Sequence, residues 1–186
     1  MEWNNHSNLK DKHSVLSASS YAWVNYDDEK FEKVYRNMLA KELGTRKHAL
    51  AAELISLGQK LPRTKQTLNM YVNDAIGFGM SPEVILYYSP FAFGTADAIS
   101  FNKRLLRIHD LKTGVNKASM TQLKIYASYF CLEYNIKPGN IDMELRIYQN
   151  DDVVIETPEP SDILPIMDTI MRFSKKAEKL SEEVPR

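Results

Sequence analysis

Asp110 and Lys112 stand two residues apart in the run Ile108-His109-Asp110-Leu111-Lys112. In an extended chain, residues two apart share a face, so this spacing sets a carboxylate beside an ammonium and turns His109 and Leu111 the other way. Asp97 falls in the middle of the preceding apolar segment and can reach the same spot if the two segments pair as a hairpin. Two carboxylates on one sheet face in apolar surroundings repel each other unless a cation lies between them. Hard oxygen ligands of this kind suit Mg²⁺ or Mn²⁺. An Asp-x-Lys pair on a strand is also a common structural ion pair, so the spacing alone leaves both readings open.

The surrounding elements must position these groups. Residues 83–89, 93–101 and 104–112 are rich in β-branched and aromatic side chains, with breaks at Ser89-Pro90 and Asn102-Lys103, which predicts three strands and a hairpin turn at Asn102-Lys103. Upstream, Asp27 as N-cap followed by Phe31, Val34, Tyr35, Met38 and Leu39 predicts a helix with one buried face. A second helix is expected to open at Gly44-Thr45, run through His48, Ala51, Leu54 and Ile55, and stop at Gly58, with a third over about residues 66–78. Helical spacing returns over residues 119–134 and ends before Pro138-Gly139. A strand at 141–149 then turns at Asn150-Asp151 into a short fifth strand, and a helix over about 161–173 follows. The order helices, three strands, helix, two strands, helix predicts an α+β fold with about five strands. Residues 1–186 are read as one domain, with a polar leader (1–14) and a charged tail (175–186) that fray.

With 44% hydrophobic residues the chain can bury a core. Its 24 basic and 24 acidic residues cancel, so a nucleic-acid partner would have to be held by a local basic groove and bound cations. Two clusters qualify: Lys60, Arg63 and Lys65 after the His48 helix, and Lys117 and Lys124 near the end of the third strand. Trp23, near Tyr21 and Tyr26, could stack on an unpaired base or pack into the core. The single cysteine, Cys131, excludes an internal disulfide framework and an intrachain iron–sulfur cluster. His6 and His13 sit in the leader and His109 faces away from Asp110, so no zinc site is expected. No apolar stretch reaches bilayer length, which predicts a soluble, cytoplasmic protein without a membrane partner. A G-x-x-x-x-G-K-[ST] phosphate loop is absent, so any unwinding would need another protein.

Several short motifs follow one another: Leu16-Ser17-Ala18-Ser19, Gly44-Thr45-Arg46-Lys47-His48, Gly94-Thr95-Ala96-Asp97, Asp110-Leu111-Lys112-Thr113-Gly114 and Gln122-Leu123-Lys124-Ile125-Tyr126. In this order the sequence resembles the PD-(D/E)XK nuclease superfamily, in its RecB-like or lambda-exonuclease-like branch, over roughly residues 17–148. Ala96 replaces the proline of the superfamily's name, as is usual in that branch. The resemblance implies a restriction-endonuclease-like core, a central mixed sheet flanked by helices, which the strand and helix order fits. It also implies one or two Mg²⁺ or Mn²⁺ ions held by His48, Asp97, Asp110 and the backbone carbonyl of Leu111. Lys112 would orient or deprotonate the attacking water, or steady the transition state. Gln122 and Tyr126, four apart on one helix face, would contact DNA or brace the site, with Thr113, Lys117 and Lys124 nearby. Glu83, at the start of the first strand, is a secondary ligand candidate. The implied activity is that of a deoxyribonuclease, an exonuclease or DNA-end-processing enzyme in recombination or replication of phages or mobile elements. A structure-specific endonuclease and a catalytically silent binding relative are the alternatives. Related nucleases form rings or join annealing proteins or helicases, so the resemblance extends to a homo-oligomer or such a partner.

Overall fold

The structure, a computed structural model, describes residues 5, 7 and 14–183. His6, His13 and most of the polar leader lie outside the described residues. The chain divides into two compact units, Met1–Leu43 and Gly44–Arg186.

In the first unit, a 3₁₀ segment, Ala18–Asn25, is tied back by Trp23 Nε1, which donates to the Ser17 carbonyl at 2.9 Å. Asp27 caps the following helix as its sequence position predicts, Oδ1 accepting the Lys30 N–H at 2.8 Å. Phe31 and Tyr35 stack at 6.1 Å, yet no described residue of this unit is buried. The apolar face expected to be buried is therefore only half covered.

That helix, α1 (Asp28–Leu57), is continuous. The expected second start at Gly44-Thr45 is not a break, for a physical reason. Gly44 is buried, and a Cβ there would sit 2.7 Å from Thr113 Oγ1. The glycine allows a close approach instead of ending a helix, and its propensity cost of about 1 kcal/mol is small beside the unsatisfied backbone groups a break would create.

The second unit is built on a five-stranded mixed sheet in the order β1 (Ser81–Ser89), β2 (Ala92–Asn102), β3 (Leu105–Leu111), β4 (Asp142–Gln149) and β5 (Asp152–Glu156). All neighbours are antiparallel except β3 and β4, which pair in parallel from Leu105↔Asp142 to Leu111↔Tyr148. A parallel pair requires a crossover, here carried by α3 (Thr121–Glu133). Two of the three hairpin turns, β2–β3 and β4–β5, use left-handed backbone at both central residues, while the β1–β2 turn at Pro90-Phe91 does not. Asn150 and Asp151 do so at φ +53° and +58°, as their residue types favour. The β2–β3 turn centres on Lys103 and Arg104, at φ +49° and +66°, one residue beyond the expected Asn102-Lys103.

Helices cover both sheet faces. Leu106, Ile108, Leu145 and Ile147 pack with Leu123, Ala127 and Phe130 of α3 and Ile163 of α4 (Pro160–Glu182). On the opposite face, Ala98, Leu111 and Tyr148 pack with Ala51, Leu54 and Ile55 of α1 and Tyr71, Val72 and Ala75 of α2 (Thr67–Gly77). α4 runs well past the expected end near residue 173, because Ser174 is buried and bonded to Ser89 Oγ at 3.0 Å while helix-favouring Lys and Glu residues continue the exposed face. Among the described residues, no helix is long and apolar enough to cross a membrane.

Candidate metal centre

The site forms where two regular patterns fail together. On β2, Gly94 and Ala96 face α3, since a Cβ on Gly94 would touch Tyr126 at 3.0 Å and Ala96 belongs to the α3-side core. Ala98 instead packs on the α1/α2 side, and Ile99 returns to the α3 side. The alternation thus slips between Ala96 and Ile99, with Asp97 at the slip. The β2–β3 ladder ends at Ala98↔His109. Beyond it, Asp97 Oδ2 accepts the Leu111 N–H at 2.9 Å, a side chain supplying the acceptor that the ladder no longer does. On the other flank, the rungs Pro82↔Ala98 and Val84↔Ala96 place Glu83, at φ +52°, opposite Asp97.

His48 completes the group from α1. Gly44, His48, Ala51 and Ile55 recur at four, three and four, so the imidazole lies on the face that packs against the sheet. Its Nδ1 is 3.3 Å from Asp97 Oδ2. One ligand atom each from His48, Glu83 and Asp97 lies within 4.8 Å of the others. The hydrogen bond to Asp97 holds the imidazole above its ordinary pKa against the opposing effect of burial, and the Asp97, Asp110 and Glu83 charges reinforce it. Burial, then Asp97, pushes the Glu83 carboxyl up.

Asp110 and Lys112 occupy the adjoining position and share a face as the strand periodicity predicts, a face the structure turns toward α3. The Lys112 ammonium donates to Asp110 Oδ1 at 3.0 Å and to Gln122 Oε1 at 2.8 Å, and Gln122 Nε2 donates to the Tyr126 hydroxyl at 3.1 Å. Asp110 Oδ2 is 2.9 Å from the same ammonium but receives no directed hydrogen bond and is fully buried. Burial and the Asp97 charge raise the Asp110 pKa, while Lys112 pulls it back. A buried carboxylate oxygen lacking a directed donor beside a second carboxylate is an arrangement a cation would relieve.

The structure therefore brings together His48, Glu83 and Asp97 as one group and Asp110, Lys112, Gln122 and Tyr126 as a second. Leu111 meets the first group through its N–H. Thr113 lies against Gly44, and Lys117 is exposed in the loop that follows. Lys124 is drawn elsewhere, its ammonium paired with Glu156 at 2.6 Å and Asp162 at 3.3 Å. Glu83, from its sequence position only a secondary ligand candidate, belongs to the tight three-residue group, whereas Asp110 does not. Lys47, beside His48 in sequence and lining a cleft with Lys112, carried no signal of its own. An imidazole nitrogen with two carboxylates suits a divalent cation of the Mn²⁺ kind, with Mg²⁺ the harder alternative. No protein-family model, curated protein or solved structure matches the chain.

Proposed function

We propose that the protein is a metal-dependent DNA nuclease with a restriction-endonuclease-like core, acting at DNA ends. The observation that carries this reading is the convergence of His48, Glu83 and Asp97 beside buried Asp110 and its partner Lys112 at one slip in the sheet. The PD-(D/E)XK-like motif order supports it, as those motifs supply each of these residues but Glu83.

His48, Glu83 and Asp97 would hold the cation, with Asp110 turned toward it once its repulsion with Asp97 is screened. A divalent ion bound there supplies an acidified water and neutralises charge on the scissile phosphate. The protein's own groups do the rest. An ammonium has three donors, and Asp110 and Gln122 take two of Lys112's, which leaves one for an anionic oxygen of the substrate. Gln122, itself bonded to Tyr126, fixes the long lysine stem so that the remaining donor is oriented before the substrate arrives.

The test is incubation of purified protein with end-labelled linear and covalently closed circular DNA in Mg²⁺, Mn²⁺ or EDTA, alongside Asp110→Ala and Lys112→Ala. Metal-dependent loss of linear DNA, abolished in both variants and sparing circles, is the expected result. Cleaved circles would make the enzyme an endonuclease. No cleavage of either substrate in either metal would overturn the nuclease reading.

A further inference from the structure

Two clefts adjoin one another beside the candidate centre. The first, of about 470 Å³, is lined by Lys112, Lys47, the 66–69 segment at the start of α2 and Asn150-Asp151 of the β4–β5 turn. The second, of about 590 Å³, is lined by Lys60, Arg63, Lys65 and neighbouring residues of the loop before α2. Gln66 lines the first cleft and Lys65, the residue before it, the second, so a path from Lys112 to Lys60 follows the 60–69 segment that borders both.

The charge along this path is mainly positive: Lys47, Lys60, Arg63 and Lys65 outnumber Asp74 and Asp151, although Asp151, bonded only to neutral Thr67, keeps its negative charge. Its two acids are each satisfied from within the fold. Asp151 Oδ1 accepts the Thr67 N–H and hydroxyl at 2.8 and 2.9 Å, while Asp74 Oδ2 accepts the Tyr148 hydroxyl at 2.7 Å and Arg146 at 3.2 Å. By contrast, Lys47, Lys60, Arg63 and Lys65 form no ion pair with any described residue. Elsewhere on the same unit, Lys124, Arg107 and Arg146 have carboxylate partners, whereas Lys175, Lys176 and Lys179 on α4 form none with any described residue, so it is the grouping beside the candidate centre that sets these four cations apart. In a chain of zero net charge, four unpaired cations on one path make a local positive potential that a polyanion can use.

The loop that carries three of them is also held in place. Asn73 donates to the Leu61 carbonyl at 2.9 Å and accepts the Leu61 N–H at 2.8 Å, and Asn69 donates to the Pro62 carbonyl and Thr64 Oγ1, both at 3.0 Å. Such clamps fix the loop backbone before binding and reduce the ordering cost of a complex.

We infer that this path is where the phosphodiester backbone of the nucleic acid lies, running from Lys112 past Lys47 to Lys60, Arg63 and Lys65. The inference rests on the nuclease reading for the identity of the polyanion, but it is tested apart from cleavage. Binding of labelled single-stranded and duplex oligonucleotides is measured by fluorescence anisotropy in EDTA across a salt series. Wild type is compared with Lys60→Ala/Arg63→Ala/Lys65→Ala and, as a control of equal charge change, with Lys175→Ala/Lys176→Ala/Lys179→Ala on α4. Circular dichroism verifies that both variants fold. The loop variant should lower the slope of log affinity against log salt by about 2 for single strands or about 2.7 for duplex, the loss of three phosphate contacts. The α4 control should leave the slope within about 0.5 of wild type. Absence of oligonucleotide binding by wild type, an unchanged slope in the loop variant, or equal losses in both variants would overturn the inference. A reduced slope without metal-dependent cleavage would keep the path as a binding site while removing the nuclease reading.

Discussion

His109 and Asp110 are consecutive on β3, exposed by only 0% and 1%, and each leaves one buried polar atom without a hydrogen-bond partner. They point to opposite faces, and the two faces treat a buried titratable group differently. Around His109 the assembly is closed. Its ring meets Phe78 edge-on at 5.7 Å and Tyr148 at 5.3 Å, its Nδ1 is 3.3 Å from the Tyr148 hydroxyl, and that hydroxyl donates to Asp74. Arg107 and Arg146 lie over the Phe78 ring at 4.4 and 4.8 Å. Burial, then these two guanidiniums, lower the His109 pKa to about 3, so it is a neutral packing element. Around Asp110 the charges are unbalanced, with Asp97 opposing ionisation and Lys112 favouring it beside a cleft. Burial drives both groups toward their neutral forms, but only Asp110 is placed where a cation can reverse the effect.

This contrast can be broken from either side. The largest effect is expected for Asp110→Asn, which keeps the shape and removes the charge. Cleavage should fall by about 10²–10³-fold or more, as when a preorganised charge-stabilising group is lost, while thermal stability of the metal-free protein stays level or rises. A fall in melting temperature with cleavage intact would reverse the roles assigned to the two faces. On the other face, Tyr148→Phe strips a buried partner from His109 and Asp74. Denaturant titration should show a loss of about 1–3 kcal/mol, with cleavage per folded molecule unchanged.

The two groups also predict opposite pH slopes in the metal-free protein. His109 has a folded pKa below its unfolded value of 6.5, so its contribution is complete above pH 6.5 and is lost as pH falls toward about 3, by about 1.4 kcal/mol per pH unit. Asp110 has a raised folded pKa, so its contribution is complete below the ordinary carboxylate pKa and is lost as pH rises through the folded value. Denaturation curves of His109→Gln and Asp110→Asn across pH should each flatten one of these limbs. The smallest effect belongs to Gly44→Ala. The new Cβ would meet the exposed Thr113 hydroxyl, which can rotate away, against a helix-propensity gain of about 1 kcal/mol. Calorimetry should show a change below about 1 kcal/mol, and Gly44→Ala/Thr113→Ala should be the more stable variant.

The division between the two faces of β3 was legible from residues 108–112, because period-two alternation there is enforced by Ile108 and Leu111 on opposite cores. The slip that positions Asp97 was not, since Ala96 and Ala98 are small and apolar and fit either face. Glu83 gained its place only through the β1–β2 register, which no local pattern reports. Gly44 read as a helix start because a glycine that permits close packing is indistinguishable in sequence from one that ends a helix. The partners that withdraw Lys124, Glu156 and Asp162, come from β5 and α4, some 30 to 40 residues away, beyond the reach of spacing arguments. Strands and the α+β order were readable because burial on two faces writes itself into residue type.

The central claim is that His48, Glu83 and Asp97 bind a divalent cation next to Asp110 and Lys112. Titration of Mn²⁺ into metal-free protein, followed by electron paramagnetic resonance, tests it directly. Wild type should bind one or two Mn²⁺ ions, and His48→Ala and Glu83→Gln should each weaken binding at least tenfold while circular dichroism stays unchanged. Folded wild type that leaves Mn²⁺ free, or binds it equally well in both variants, would contradict the claim.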